Sequence, residues 1–149
     1  MAVSSILTKM IGQSSDPLVI EVERGQIRRF AQAIGETNPI HYDEDAAKSA
    51  GFPGIVASCT YASAIHCFDD FYDEVGINPH AVMHQEEEYE YFKPIFAGDI
   101  LSVVHTVSNV YDKQVPNGQL VFIVIESRGN DKRGKTVFKS RRVLVELRK

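Results

Sequence analysis

The sequence is poor in cysteine, and this scarcity excludes a disulfide-stapled fold. Cys59 and Cys67 are its two cysteines, and two are too few for a disulfide framework. They lie eight residues apart in a segment that we predict to be a single helix, where about 12 Å of helical rise separates them, more than a disulfide spans. We therefore expect free thiols and a reducing, cytoplasmic location, and no cysteine set for a zinc site.

The sequence also lacks long apolar runs, repeats and linkers. No run comes near the roughly 18 apolar residues that a membrane helix needs, which predicts a protein without a membrane span. The first residues, MAVSSILTKMIGQSS, have no basic leader and no small-residue cleavage site, so we interpret them as part of the mature protein. No linker divides the 149 residues, of which 44% are hydrophobic and 24% charged. This composition is typical of one globular domain over residues 1–149.

Charge is distributed unevenly along the chain. Residues 1–130 carry 8 basic and 18 acidic side chains, whereas residues 131–149 carry 8 basic and 2 acidic ones. A net charge of −4 disfavours nucleic acid, and the basic segment holds no stacking aromatic side chain apart from Phe138. Two interpretations stay open: a last strand with a solvated basic face, or a patch that attracts an anionic ligand such as a nucleotide phosphate.

Helical patterns dominate the first half of the chain. Apolar side chains at Ile27, Phe30, Ala31 and Ile34 have the spacing i, i+3, i+4, i+7, which predicts a helix over residues 23–34. A short helix with an acidic first turn is predicted over residues 43–50. Residues 54–71 are small and apolar almost all the way round, which predicts a buried helix.

Strand patterns dominate the second half. Residues 17–22 are a short β-rich segment, and four longer strands are predicted over residues 82–92, 99–111, 119–127 and 135–147. Turn residues separate the four longer strands, which indicates an antiparallel meander. Tyr89 and Tyr91 alternate with Glu88 and Glu90, so we expect them to pack on the helix rather than line a pocket. The predicted class is α+β, a curved sheet wrapped around residues 54–71.

One loop holds the residues best suited to acid/base chemistry. Glu36 and His41 lie five residues apart and bracket Asn38-Pro39. Proline fixes its own φ and restricts the residue before it, so the loop is stiff. A stiff loop can direct a carboxylate and an imidazole at one point, the geometry that an acid/base pair with a shared water needs.

Three segments resemble one enzyme family. A-I-G-E-T-N-P-I-H-Y-D-E-D-A-A resembles the signature of the MaoC-like (R)-specific enoyl-CoA hydratases, Gly-Asp-x-Asn-Pro-(aliphatic)-His followed by an acidic, Ala-containing helix. G-F-P-G-I-V-A-S-C-T resembles the start of that family's central helix, and Y-E-Y-F-K-P-I-F-A-G-D-I-L resembles its Pro/Gly-Asp turn between strands. The nearest branch is the N-terminal-type dehydratase domain. The resemblance implies a single hotdog fold, a long central helix wrapped by a curved antiparallel sheet.

The resemblance also implies a reaction and its residues. Glu36 and His41 would be the catalytic pair that activates water for addition to a trans-2-enoyl thioester, or removes water from an (R)-3-hydroxyacyl thioester. Asn38 and Pro39 would shape the loop. Backbone N–H groups at the start of the central helix, near Ser58 and Cys59, would hold the thioester oxygen. Neither a metal nor another cofactor is required.

The sequence departs from the family pattern at two places. Glu36 stands where the signature has Asp, and its carboxylate is one methylene further from the backbone. Ala57-Ser58-Cys59 stands where the hydratases carry His-Gly, which places a side chain near the thioester path. A non-catalytic hotdog subunit that binds acyl thioesters and pairs with a catalytic chain is therefore an alternative. A hotdog thioesterase is disfavoured because residues 54–68 contain no carboxylate.

The implied partners are an acyl-CoA or acyl-carrier-protein substrate and a second hotdog chain. A single sheet around one helix leaves an open edge, and edge strands favour pairing. We expect a homodimer or a higher oligomer, with a hetero-oligomer as the other option. Six basic residues near the C-terminus are candidates for contacts with coenzyme A phosphates: Lys132, Arg133, Lys135, Lys139, Arg141 and Arg142. The foremost candidates are Lys139, Arg141 and Arg142.

Overall fold

The computed structural model describes residues 8–65 and 68–148. Its centre is one five-stranded antiparallel sheet with the strand order β1-β3-β4-β5-β2. The strands are β1 (Leu18–Glu21), β2 (Val82–Tyr91), β3 (Ile100–Val115), β4 (Gly118–Asp131) and β5 (Thr136–Arg148). All five predicted strands are confirmed. The strands β3, β4 and β5 are joined by turns and form the predicted meander. The prediction was wrong for β2, which pairs with β5 at the edge of the sheet and not with β3, because the segment between β2 and β3 pairs with Val56 instead of forming a hairpin turn.

The described residues form three short α-helices: α1 (Arg24–Ala33), α2 (Glu44–Ser49) and α3 (Phe68–Val75). The first two confirm the helices predicted over residues 23–34 and 43–50. Helix α1 buries Ile27 and Ala31 completely, and Phe30 packs edge-on against Tyr61 with 5.6 Å between ring centroids. Within the described residues, no helix is long and apolar enough to cross a membrane.

The long central helix predicted over residues 54–71 is not confirmed. Val56 forms an isolated bridge with Phe96, and the N–H of Ala57 donates to the carbonyl of Ile95. Helical structure begins only with a 3-10 turn at Tyr61–Ala64, and α3 starts at Phe68. The composition of the segment correctly indicated burial, but β-branched side chains at its start favour an extended backbone. His66 and Cys67 lie outside the described residues.

The apolar core consists of two clusters, and one of them supports the candidate site. The first cluster joins Val22 and Ile27 to Ile55 and Ile95 and continues to Phe138. The second packs Phe71 and Tyr72 of α3 against the middle of the sheet, where its buried members include Val107, Ile123 and Leu144. The segment after Gly54 and the segment after β2 therefore meet above the first cluster.

Candidate active site

The loop that carries Glu36 is fixed at the end of α1. Gly35 has φ +72, a left-handed conformation that glycine adopts without steric cost. The N–H of Glu36 then donates to the carbonyl of Ala31 at 2.9 Å. The hydroxyl of Tyr42 donates to the carbonyl of Glu36, so the backbone of Glu36 is held from both sides.

The carboxylate of Glu36 folds back onto its own loop. Its Oε1 accepts hydrogen bonds from the backbone N–H of Thr37 at 2.8 Å and of Asn38 at 3.0 Å. The bond from Asn38, then that from Thr37 and the attraction of His41, lower the pKa of Glu36. The carboxylate is therefore anionic at neutral pH. The additional methylene relative to Asp lets one oxygen cap the loop while the other faces His41.

His41 is buried, with 7% of its surface exposed, and it ends the 3-10 turn Pro39–His41. The side chain of Asn38 accepts from the N–H of Ile40 at 3.2 Å and so caps this turn. The Nδ1 atom of His41 lies 2.7 Å from the carbonyl oxygen of Val56. Because a carbonyl oxygen only accepts, Nδ1 carries the proton, and in the neutral ring Nε2 is the acceptor.

The two side chains leave a gap suited to one oxygen atom. Nε2 of His41 and Oε2 of Glu36 are 3.9 Å apart, too far for a direct hydrogen bond, but an oxygen at about 2.8 Å from both atoms fits between them. A water there donates one O–H bond to each acceptor. Its lone pairs then face a third group, as nucleophilic addition requires.

This pair borders a cavity of about 620 Å³, the size range of small-molecule sites. The loop residues Glu36 and His41 form one wall, and the segment Val56 to Cys59 forms another. The end of β2 and the residues after it complete the cavity. The remaining walls are mainly apolar and include Phe52, Ala57, Phe92 and Ile95. Such walls suit an acyl chain close to the polar pair.

Ser58 and Cys59 line the same cavity, although not at a helix N-terminus. Ser58 is buried, and within the described residues its Oγ has no hydrogen-bond partner. Cys59 is exposed. No described residue accepts a hydrogen bond from the backbone N–H of either one. The expected helix dipole is absent at this point, but two backbone donors are still available for an oxygen ligand.

Tyr91 is a cavity residue that the sequence interpretation missed. We expected its ring to pack on the central helix rather than line a pocket. It packs against the first core cluster and also lines the cavity. Its hydroxyl donates to the carbonyl of Cys59 at 2.6 Å, and burial raises its pKa. Tyr91 therefore stays protonated and positions the segment with the free N–H groups. Tyr91 directly precedes the Lys-Pro turn that resembles the family pattern, and this turn was the sequence signal that could have identified it.

Lys139, Arg141 and Arg142 do not line this cavity. Arg142 is buried, and its guanidinium makes hydrogen bonds of 2.6 and 3.1 Å to Glu87. Its charge already has a buried partner, which disfavours the predicted contact with a phosphate. Arg141 pairs with Glu86 at 3.1 Å, and the Lys139 amine lies 5.4 Å from the ring centre of Phe92.

Comparison with known proteins identifies the family. A model described as the FAS1-like dehydratase domain region matches residues 9–140. The chain belongs to this family. The UPF0336 protein of Streptomyces coelicolor is 33% identical over 108 residues, which cover 68% of this chain and 71% of that protein.

Solved structures of dehydratases share the fold. The C-terminally truncated HadBC (3R-hydroxyacyl-ACP dehydratase) complex from Mycobacterium tuberculosis superposes with a TM-score of 0.79 at 21% identity, over 91% of this chain and 96% of that one. A MaoC-like dehydratase superposes with a TM-score of 0.81 at 25% identity, over 95% of this chain and 43% of that one. The FAS1-like dehydratase domain thus has the expected hotdog architecture, with short helices in place of one long helix.

Proposed function

We propose that this dehydratase-family chain interconverts trans-2-enoyl and (R)-3-hydroxyacyl thioesters by adding or removing water. The gap between Nε2 of His41 and Oε2 of Glu36 carries this proposal. It lies at the wall of a mainly apolar cavity, where the pair can hold one water beside an acyl chain. Membership of the dehydratase family and the MaoC-like signature support the same reaction.

Glu36 and His41 have different roles in the addition of water. The lowered pKa of Glu36 makes its carboxylate a weak proton acceptor, so its task is to orient the water and to stabilise a protonated imidazole. Nε2 of His41 accepts one water proton while the water oxygen bonds to the β-carbon of the enoyl thioester. The π electrons move to the thioester oxygen as an enolate. His41 then returns the proton to the α-carbon, and dehydration follows the reverse path.

The enolate oxygen needs donors, and the segment at Ser58 and Cys59 supplies them. Both residues line the cavity, and no described residue accepts a hydrogen bond from their backbone N–H groups. Fixed N–H groups stabilise a developing oxyanion because they need no reorganisation during the reaction. The hydroxyl of Tyr91 holds the carbonyl of Cys59 and thereby fixes the orientation of this segment.

The decisive experiment is a hydration assay on crotonyl-CoA and longer trans-2-enoyl-CoA substrates. We expect His41→Ala and Glu36→Ala each to lower kcat by about 100-fold or more, since positioned acid/base groups contribute on that scale. Lys113→Ala, an exposed change on the β3–β4 hairpin, is the control and should keep full activity. Activity that survives both site changes would exclude the pair as the catalytic groups.

A second candidate is a subunit that binds acyl thioesters beside a catalytic hotdog chain. The exposed thiol of Cys59 favours it, because this side chain occupies the cavity wall where the hydratases carry glycine. Under this alternative the purified chain is inactive and activity returns with a second hotdog protein. In either case we expect an oligomer, since β1 and β2 are the two edges of the sheet and an open edge favours strand pairing.

A further inference from the structure

A second groove adjoins the candidate active site. It measures about 640 Å³ and lies at the turn between β4 and β5. Phe92 and Lys93 line both this groove and the cavity that holds Glu36 and His41. An extended ligand that leaves the active-site cavity past these two residues therefore enters the groove.

The groove is bordered by a turn that carries three cations. This basic turn comprises residues 132–135 and carries Lys132, Arg133 and Lys135, all exposed. None of the three forms an ion pair with a residue in the described ranges 8–65 and 68–148. Their charges are therefore available to an anionic ligand.

Asp131 fixes the shape of the basic turn. Its Oδ1 accepts from the backbone N–H of Arg133 at 2.9 Å and of Lys135 at 3.0 Å. Its Oδ2 binds the Lys93 amine at 2.8 Å. The Lys93 bond and the two backbone bonds lower the pKa of Asp131, so it stays anionic at neutral pH. Lys93 neutralises this carboxylate. Asp99 also lines the groove and accepts from the backbone N–H of Phe96 at 3.0 Å. Four cations against two carboxylates leave the groove with an excess of positive charge.

The face of the sheet that carries Lys139 and Arg141 lacks such an excess. The groove there also contains Arg128, but it is lined by three carboxylates, Glu88, Glu90 and Glu126. Arg141 is further paired with Glu86. That groove has three cations and three carboxylates. Its charges therefore cancel, and it attracts a phosphate only weakly.

We infer that the basic turn binds the phosphate at the end of the substrate's pantetheine arm, with the arm passing Phe92 and Lys93. This inference rests on the proposed function, because a thioester substrate is what places such an arm at the cavity. The chemistry is that of a phosphate ester or diphosphate. Coenzyme A and the phosphopantetheine of an acyl carrier protein both supply it.

Titration calorimetry on the full chain tests the inference without catalysis. The probes are coenzyme A, adenosine 3′,5′-bisphosphate, which keeps phosphates but lacks pantetheine, and pantetheine, which lacks phosphate. We expect each of K132E, R133E and K135E to weaken coenzyme A binding by about two- to fivefold, the scale of an exposed ion pair. The triple variant should weaken it by about tenfold or more, and pantetheine binding should not change.

Lys113→Glu is the matched control, because it reverses one exposed charge on the hairpin at the other end of β4 and should leave all three affinities unchanged. Holo-acyl carrier protein forms a parallel arm of the titration. Weaker binding of coenzyme A to the triple variant supports a coenzyme A substrate, and weakening of the holo carrier protein alone supports the carrier as the phosphate source. Unchanged binding of both overturns the inference.

The same variants separate this inference from the proposed function. If the wild-type chain hydrates no enoyl thioester, the proposed function fails. The calorimetric comparison still reports whether the basic turn binds phosphate. If the chain is active, the triple variant should raise KM for crotonyl-CoA by about tenfold relative to its effect on crotonyl-pantetheine, because only the former substrate carries phosphates. An equal effect on both substrates contradicts phosphate binding.

Discussion

The imidazole of His41 and the carbonyl of Val56, 15 residues apart in sequence, are joined by a hydrogen bond of 2.7 Å. This bond sets the orientation of the ring and directs Nε2 towards Glu36. Val56 is itself held by its bridge to Phe96. The geometry of the His41–Glu36 pair therefore depends on a segment well outside the signature loop.

The first prediction concerns the tautomer of His41. In the neutral ring the proton should be on Nδ1, because the carbonyl of Val56 can only accept. Side-chain ¹⁵N NMR on labelled protein above pH 8 distinguishes the two ring nitrogens, with exposed His80 as an internal reference. A proton on Nε2 of His41 would contradict the hydrogen-bond assignment.

The second prediction concerns the length of the Glu36 side chain. Its two oxygens serve different partners, the N–H groups of the loop and His41. Aspartate cannot reach both from this backbone, so Glu36→Asp should lower kcat by as much as about 100-fold although the carboxylate is kept. Glu36→Gln, which keeps the length and removes the charge, is the matched variant. Wild-type kcat in Glu36→Asp would show that length is irrelevant.

Only those residues of the candidate site that lie close together in the sequence could be predicted from it. Glu36, Asn38 and His41 form one short stiff loop, so proximity in sequence ensures proximity in space. The Val56 carbonyl and Tyr91 reach the site through pairing of distant segments, which no local pattern encodes.

The same holds for the fold: elements with a local apolar pattern were predictable, and a segment held by distant pairing was not. Apolar spacing indicated α1 and the strands, because periodicity reports which face is buried. Residues 55–58, directly after Gly54, are all buried and so lack a periodic signal. Their conformation is set by pairing of Val56 with Phe96 rather than by helix propensity.

The third prediction concerns pH and the hydrogen bonds that Glu36 receives. Its pKa lies below the ordinary value of 4.5. The carboxylate therefore stabilises the fold above that pH, and the stabilisation is lost as pH falls through the lowered pKa of the folded state. We expect wild type to be more stable than Glu36→Gln at pH 7 and the difference to shrink in strong acid. Urea unfolding at neutral and at acidic pH measures this difference. A stability difference that grows in acid would contradict the prediction.

The fourth prediction concerns the buried pair of Arg142 and Glu87. Both side chains are largely excluded from water, with 10% and 13% exposed, and Glu87 also lies 2.5 Å from Nε2 of His84. Arg142→Ala leaves Glu87 without its bidentate partner, so we expect a loss of about 3–5 kcal/mol in the free energy of unfolding. The variant Arg142→Met with Glu87→Leu removes both charges and should recover most of the loss. If the double variant is no more stable than Arg142→Ala, an uncompensated charge on Glu87 is not the cause of the loss of stability.

The last prediction concerns Gly129, which pairs directly with Phe138 across β4 and β5. A Cβ at position 129 would lie 2.2 Å from the Phe138 ring, and that ring is buried in the core next to the site. Because the ring has no free space into which to move, Gly129→Ala should cost about 1–3 kcal/mol of stability through overpacking. Phe138→Leu shortens the side chain that meets the new methyl group. In the Gly129→Ala background it should therefore lower the free energy of unfolding by less than it does in the wild type. Additive losses in urea unfolding would show that the two residues are not in contact.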